Sequence, residues 1–147
     1  MNKQFIMTKV TALVDHHLAL SFADGATFEL NLAPLIKQYK SLAALKNADV
    51  FAKVALGEGG YSLQWLNGEI ELAGDNLRAK AIEQAGGHSH ELVWNWMSRN
   101  KLSLTQAADA IGISRRMLAY YRSGEREIPK TVALAMIGWE VAHRKAA

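Results

Sequence analysis

The sequence predicts an α+β fold: a small, mostly antiparallel β domain with short helices over residues 1–85, followed by an all-α domain of four to five helices over residues 86–147. Three observations carry this prediction. Through the first 73 residues, apolar and β-branched runs are punctuated by Asp-Gly and Asn-Gly, the pattern of hairpins in one small, mostly antiparallel sheet. Beyond Gly74 the apolar residues recur at helical spacing instead. Between the two regimes stands Gly86-Gly87, which costs backbone entropy inside any element and so suits a linker.

Taken in order, Phe5 to Val14 and Leu18 to Phe22 are rich in β-branched and apolar residues, and LALSF alternates as a half-buried strand should. Asp24-Gly25 then predicts a hairpin turn with both positions at positive φ, leading into a strand over 27–32. Pro34 suits the first turn of a short helix through Leu35, Ile36 and Tyr39, because its missing N–H would be unpaired there anyway. Residues 41–52 are ambiguous. Val54 to Leu56 and Tyr61 to Trp65 bracket a Gly-rich loop, and Asn67-Gly68 turns into Glu69 to Leu72. Asp75 is the expected cap of a helix carrying Leu77, Ala81, Ile82 and Ala85.

Half the residues are hydrophobic and 21% are charged, which excludes a disordered chain and supplies a core. No apolar run reaches the roughly 20 residues that cross a bilayer, and the first residues lack a secretory signal, so the expectation is a cytoplasmic protein without membrane contact. The absence of cysteine removes thiolate catalysis, disulfides and Cys-type zinc sites together. The formal charge of +3 is unevenly shared. Residues 1–85 hold 8 Lys and Arg against 9 Asp and Glu, a net of −1, whereas residues 86–147 hold 9 against 5, a net of +4. The helical part is the one suited to an anionic partner.

Four helices are expected there. Ser89 caps the first, which carries Leu92, Val93, Trp96 and Met97 up to about Asn100. Ser103-Leu-Thr-Gln106 has the form of a capping box and opens a second, short helix through Ala107, Ala108 and Ile111. Gly112 ends that helix in a left-handed turn, and Ser114 caps a third helix, RRMLAYYRS. On it Leu118 and Tyr121 face the core, with Ile113 just before them, while Arg115, Arg116, Ala119 and Tyr120 point outward. A helix dipole prefers anions at this end, so two arginines in the first turn suggest cations held out to something anionic.

The stretch LSLTQAADAIGISRRMLAYYRSGEREIP resembles the Cro/phage-repressor-like (XRE) helix-turn-helix family over about 28 residues, within a domain of roughly 89–145. The resemblance rests on Ala108 between the helices, Gly112 in the turn, Ile113-Ser114, Leu118, and Ser123-Gly124, with Ile128-Pro129 and a following helix, KTVALAMIGWEVAHR. It implies double-stranded DNA as partner and places base-reading positions on Arg115, Arg116 and Tyr120, with Met117 beside them. Ser103, Thr105, Gln106, Arg122 and Lys130 complete the expected DNA-binding set. Arg suits bidentate recognition of guanine, and a Tyr ring can meet a thymine methyl. Two positions depart from the family: Leu104 stands where it often has a phosphate-gripping Gln, and Tyr121-Arg122 where it often has Trp-Glu.

In the N-terminal part, F-x-D-G at Phe22 to Gly25, W-x-N-G at Trp65 to Gly68 and the closing D-x-L at Asp75 to Leu77 resemble a family of small bacterial domains of unknown function, found alone or ahead of such a helix-turn-helix. The functional expectation is a sequence-specific DNA-binding transcriptional regulator, a repressor acting as a homodimer, without enzymatic activity or cofactor. Its candidate dimer surfaces are the last helix, with Met136, Ile137 and Trp139, and an open sheet edge of the first domain, which serves for dimerisation or for sensing a protein partner or small ligand. The alternative is an interaction module such as an antitoxin, with autoregulatory DNA binding. Asp15-His16-His17 and His88-x-His90 are the candidate metal or catalytic groups, and neither is assigned such a role; adjacent residues on a strand face opposite ways, so His16 and His17 would not both aim at one metal.

Overall fold

Strand β2 (His17–Phe22) buries Leu18, Leu20 and Phe22 and leaves the residues between them half-buried, so one face of a sheet is core and the other meets solvent. It is the middle strand of an antiparallel sheet, between β1 (Met7–Ala12) and β3 (Thr27–Asn31). The computed structural model describes residues 2–144. After β3 come a short helix, α1 (Ala33–Gln38), a 3-10 segment at Lys40–Lys46 and one turn of helix, α2 (Ala48–Phe51), which resolve the segment that the sequence left open. A second antiparallel sheet follows, made of β4 (Ala55–Leu56), β5 (Ser62–Trp65) and β6 (Ile70–Ala73) in that order.

Helix α3 (Gly74–Gln84) closes this first unit by burying Leu77 and Ala81 in the same core as both sheets. Trp65 sits at the centre of that core, its indole N–H donating to the Phe51 carbonyl at 3.0 Å, so the buried ring leaves its one donor satisfied. The second unit has four described helices: α4 (His90–Arg99), α5 (Leu104–Ile111), α6 (Arg115–Ser123) and α7 (Lys130–Ala142). The chain divides into the compact units Met1–Ala85 and Gly86–Ala147, each with its own hydrophobic cluster. The α+β class holds.

Several local expectations are corrected. The strands form two sheets, because β4 to β6 pair among themselves. Of the first hairpin's turn residues only Gly25 takes positive φ, at 94°; the Asp24 carboxylate instead accepts the Ala26 N–H at 3.1 Å, which holds the turn from its side chain. Strand β1 ends at Ala12, and the chain reverses through Asp15 and His16, both left-handed at φ 57° and 62°. Asp15, His16 and His17 therefore do not lie on one strand. The His16 ring packs edge-on against Phe51, and His17 meets Glu29 at 3.1 Å. Asp75 is not the cap of α3. Ala73 holds that position, and the Asp75 carboxylate accepts the adjacent Asn76 N–H at 2.7 Å.

The first hairpin is fastened to α3 by one ion pair. Arg78 lies 2.9 Å from the Asp24 carboxylate, donates to the Gln4 carbonyl, and rests over the rings of Phe22 and Phe28 at 5.1 and 5.4 Å. Burial opposes the charge on Asp24, but hydrogen bonds from Arg78 and the Ala26 N–H, with the nearby guanidinium charge, outweigh it and hold the carboxyl below its ordinary range. Because the folded value is depressed, the stabilisation is present above the ordinary carboxylate pKa of about 3.9 and is lost as pH falls through the folded value. Asp24→Asn is expected to cost roughly 1–2 kcal/mol at pH 7, allowing for partial exposure. In urea melts of the full chain, the gap from wild type should narrow as pH drops below 4; a gap constant with pH would show that the charge contributes nothing.

Candidate nucleic-acid interface

Helix α5 begins as the sequence predicts. The Ser103 hydroxyl accepts the Gln106 N–H at 3.2 Å, and the Gln106 side chain accepts the Ser103 N–H at 2.9 Å, so both orphan donors of the first turn are paired. Each cap residue keeps a donor to spare, the Ser103 O–H and the Gln106 NH2. Thr105 is exposed beside them, while Leu104 packs at the edge of the core. Ala107 and Ala108 are buried, and their small side chains let α5 and α6 approach closely.

Gly112 ends α5 at φ 73°. Its N–H reaches the Asp109 carbonyl at 3.3 Å, and the Ile113 N–H reaches that of Ala108 at 3.1 Å, the pair of reverse bonds that makes a Schellman turn. Two residues later Ser114 caps α6 by accepting the Met117 N–H at 3.0 Å. The three-residue connection, Gly112 to Ser114, thus has every turn of backbone accounted for, and α6 starts in a fixed direction.

On α6, Leu118 and Tyr121 are buried, and the opposite side carries exposed Arg115 and Arg116, half-buried Ala119 and half-buried Tyr120. No acid occupies the first turn to offset the arginines. Arg116 Nε donates to the Tyr120 hydroxyl at 3.1 Å. Met117 packs against the core, which takes it off the outward face where the resemblance placed it beside the readers. Arg122 also lies elsewhere: it stands 4.9 Å over the ring of Trp94 on α4, whose indole N–H donates to the Arg122 carbonyl at 3.1 Å. Lys130 is exposed as the first residue of α7.

Sequence reasoning missed Arg126. Gly124 ends α6 at φ 80°, and the chain turns back so that the Arg126 N–H bonds the Tyr120 carbonyl at 3.3 Å and its guanidinium lies 4.5 Å from the Tyr120 ring. The signal was Ser123-Gly124, a helix stop two residues before a cation.

Helix α7 does not present the expected surface at Met136 and Trp139. Met136 is buried and Trp139 is half-buried, in edge contact with Trp96 at 5.7 Å, so neither offers a free surface. The exposed apolar stripe is Leu134, Ile137 and Val141, at one, four and eight along a helix face. Beside it Glu140 receives Arg99 at 3.2 Å and Asn100 at 2.6 Å; those hydrogen bonds, Arg99 first, hold its carboxyl below the ordinary range.

In the first unit, an open depression lined by Leu13, Val14, Asp15, His17 and Glu29 lies at the left-handed turn. Among the described residues no group of three or more His, Cys, Asp and Glu is gathered to hold a metal, and His90 is the first residue of α4. No described helix is long and apolar enough to cross a membrane.

With this geometry in view, residues 7–83 match the family described as proteins of unknown function, DUF2442. The chain belongs to this family. The match spans both sheets and nearly all of α3, so in this DUF2442 member the four helices of the second unit lie beyond the matched region. The whole chain is also similar to a crystal structure of a candidate DNA-binding protein from Nitrosomonas europaea ATCC 19718, with 39% identity and a TM-score of 0.88 over 99% of this chain and 94% of that one. No curated protein matches the sequence.

The turn of this DUF2442 member can be tested by two glycines with opposite roles. A Cβ at Gly112 meets nothing within 4 Å, yet its φ of 73° strains any L side chain, so Gly112→Ala should destabilise the chain by about 1–2 kcal/mol. Gly138 has equal space but lies inside α7, so Gly138→Ala should stabilise by about 0.5–1 kcal/mol. Urea melts followed by circular dichroism compare the two; effects of the same sign would contradict the turn geometry.

Proposed function

We propose that this chain is a sequence-specific DNA-binding transcriptional regulator, a repressor without enzymatic activity, that inserts α6 into the major groove of double-stranded DNA. The observation that carries the reading is the pair of exposed arginines in the first turn of a helix held by a capped, glycine-closed connection. Cations there work against the helix dipole, a cost that an anionic, guanine-bearing partner offsets. The likeness to a candidate DNA-binding protein along nearly the whole chain supports the same reading.

In this reading Arg115 and Arg116 read base edges, while Ser103, Thr105, Gln106 and Lys130 meet phosphates around the groove. Arg122, on the α4 flank, contributes charge and not base contact. One helix-turn-helix reads a half-site, so a homodimer is proposed, with the Leu134, Ile137 and Val141 stripe as its surface. The first unit then serves in dimerisation or in sensing.

The test begins with selection of an operator from random duplex DNA by the full chain. Affinity for that operator and for scrambled duplex is then measured at several salt concentrations. Arg116→Ala should lower operator affinity roughly tenfold to a hundredfold with little loss on scrambled DNA. Lys130→Ala should weaken both equally and reduce the salt slope by about one. Equal losses on both DNAs for Arg116→Ala would refute its role as a base reader.

A further inference from the structure

Two side chains on the outward side of α6 and one from beyond its end are not independent of one another. Tyr120, one helical turn beyond Arg116, accepts the Arg116 Nε–H at 3.1 Å, and the guanidinium lies 5.7 Å from the ring centroid. From the far side of the Gly124 turn, Arg126 lies closer still to the same ring, at 4.5 Å, and its Nη1 approaches the Met117 sulfur at 3.8 Å. The backbone bond from the Arg126 N–H to the Tyr120 carbonyl fixes where that second arginine starts. An exposed arginine ordinarily keeps many rotamers and gives up that freedom on binding.

The geometry points to Tyr120 as a positioning residue, which orders the Arg116 guanidinium for guanine and carries Arg126 as a further phosphate contact, rather than touching the bases itself. The inference rests on the DNA-binding reading given above. Its stereochemistry is specific. With Nε committed to the Tyr120 hydroxyl, Arg116 has its two Nη groups left, and they form the end-on fork that matches O6 and N7 of a guanine. Arg126, whose stacked guanidinium keeps its other donors, sits beyond the helix end, where the duplex offers backbone oxygens. A side chain that orders a reader before contact reduces the entropy lost on binding, so the effect appears as specificity.

A double-mutant cycle between Tyr120→Phe and Arg116→Ala separates this from direct reading, because Phe keeps the ring and removes only the hydroxyl. In the full chain, Tyr120→Phe should lower the ratio of operator to scrambled-duplex affinity by roughly fivefold to tenfold. In the Arg116→Ala background the same change should alter that ratio by less than about twofold. Arg126→Ala should weaken both DNAs together and reduce the salt slope by about one. In the free protein, NMR should show the Arg116 Hε slowed in exchange with water, and Tyr120→Phe should abolish that protection. Effects that add across the cycle mean that Tyr120 contacts DNA on its own account and overturn the proposal, as does an Arg116 Hε whose exchange ignores Tyr120→Phe. Absence of any preferred operator for the wild-type chain would instead sink the DNA-binding reading, and this inference with it.

Discussion

The direction of α6 depends on one residue that can sit in the left-handed region without strain. Gly112 closes α5, its own N–H and that of Ile113 return hydrogen bonds to the carbonyls of Asp109 and Ala108, and Ser114 begins the next helix at once. No slack remains in three residues, so the face of α6 that meets the core fixes the face that meets solvent. Leu118 and Tyr121 are buried, and the arginines follow from the helical period onto the opposite side. The same device recurs at Gly124, where a left-handed turn returns Arg126 over Tyr120. Two glycines thus set which cations gather, although neither touches them.

The first unit solves a different problem with similar means. Its two sheets share one core with α3, and the hairpin that carries Asp24 is held to that helix by Arg78, a cation lying over two aromatic rings and paired at its tip. Such an arrangement offsets the cost of drawing a guanidinium out of water by giving each side of it a partner. The left-handed pair Asp15 and His16 is, with Leu66 and Asn67, a strained part of this unit. It turns His16 inward against Phe51 and leaves Val14 exposed at the turn.

Local signals were the ones the sequence displayed best. The capping box, the helix-ending Gly112, the Ser114 cap and the alternation of β2 are written in short windows, because each depends on bonds between residues a few positions apart. The α+β class followed from the change of period after Gly74. What could not be read was pairing at a distance. The division into two sheets is set by which strand edges meet, and nothing in LQWLNGEIEL specifies that β4 stays with β5 and β6. The placement of Arg122 over Trp94 and of Arg126 over Tyr120 likewise depends on elements separated in the chain or on a reversal after it. Asp75 shows the opposite error: a residue with capping chemistry stands two positions too late, and the chain starts its helix at Gly74 without a side-chain cap. Met136 was misplaced because α7 is apolar around much of its circumference, so periodicity alone does not say which side is inward.

The outward side of α6, with its flanking cations, is the proposed meeting place of this protein with duplex DNA. The most direct test is an NMR titration of the isotope-labelled full chain with a short duplex of mixed sequence, following backbone amides and arginine side chains together. Shifts concentrated at residues 103–106, 115–120, 126 and 130, weakening as salt is raised, are the expected result. Shifts confined to the sheets of the first unit, or none at DNA concentrations that saturate non-specific binders, would contradict the account.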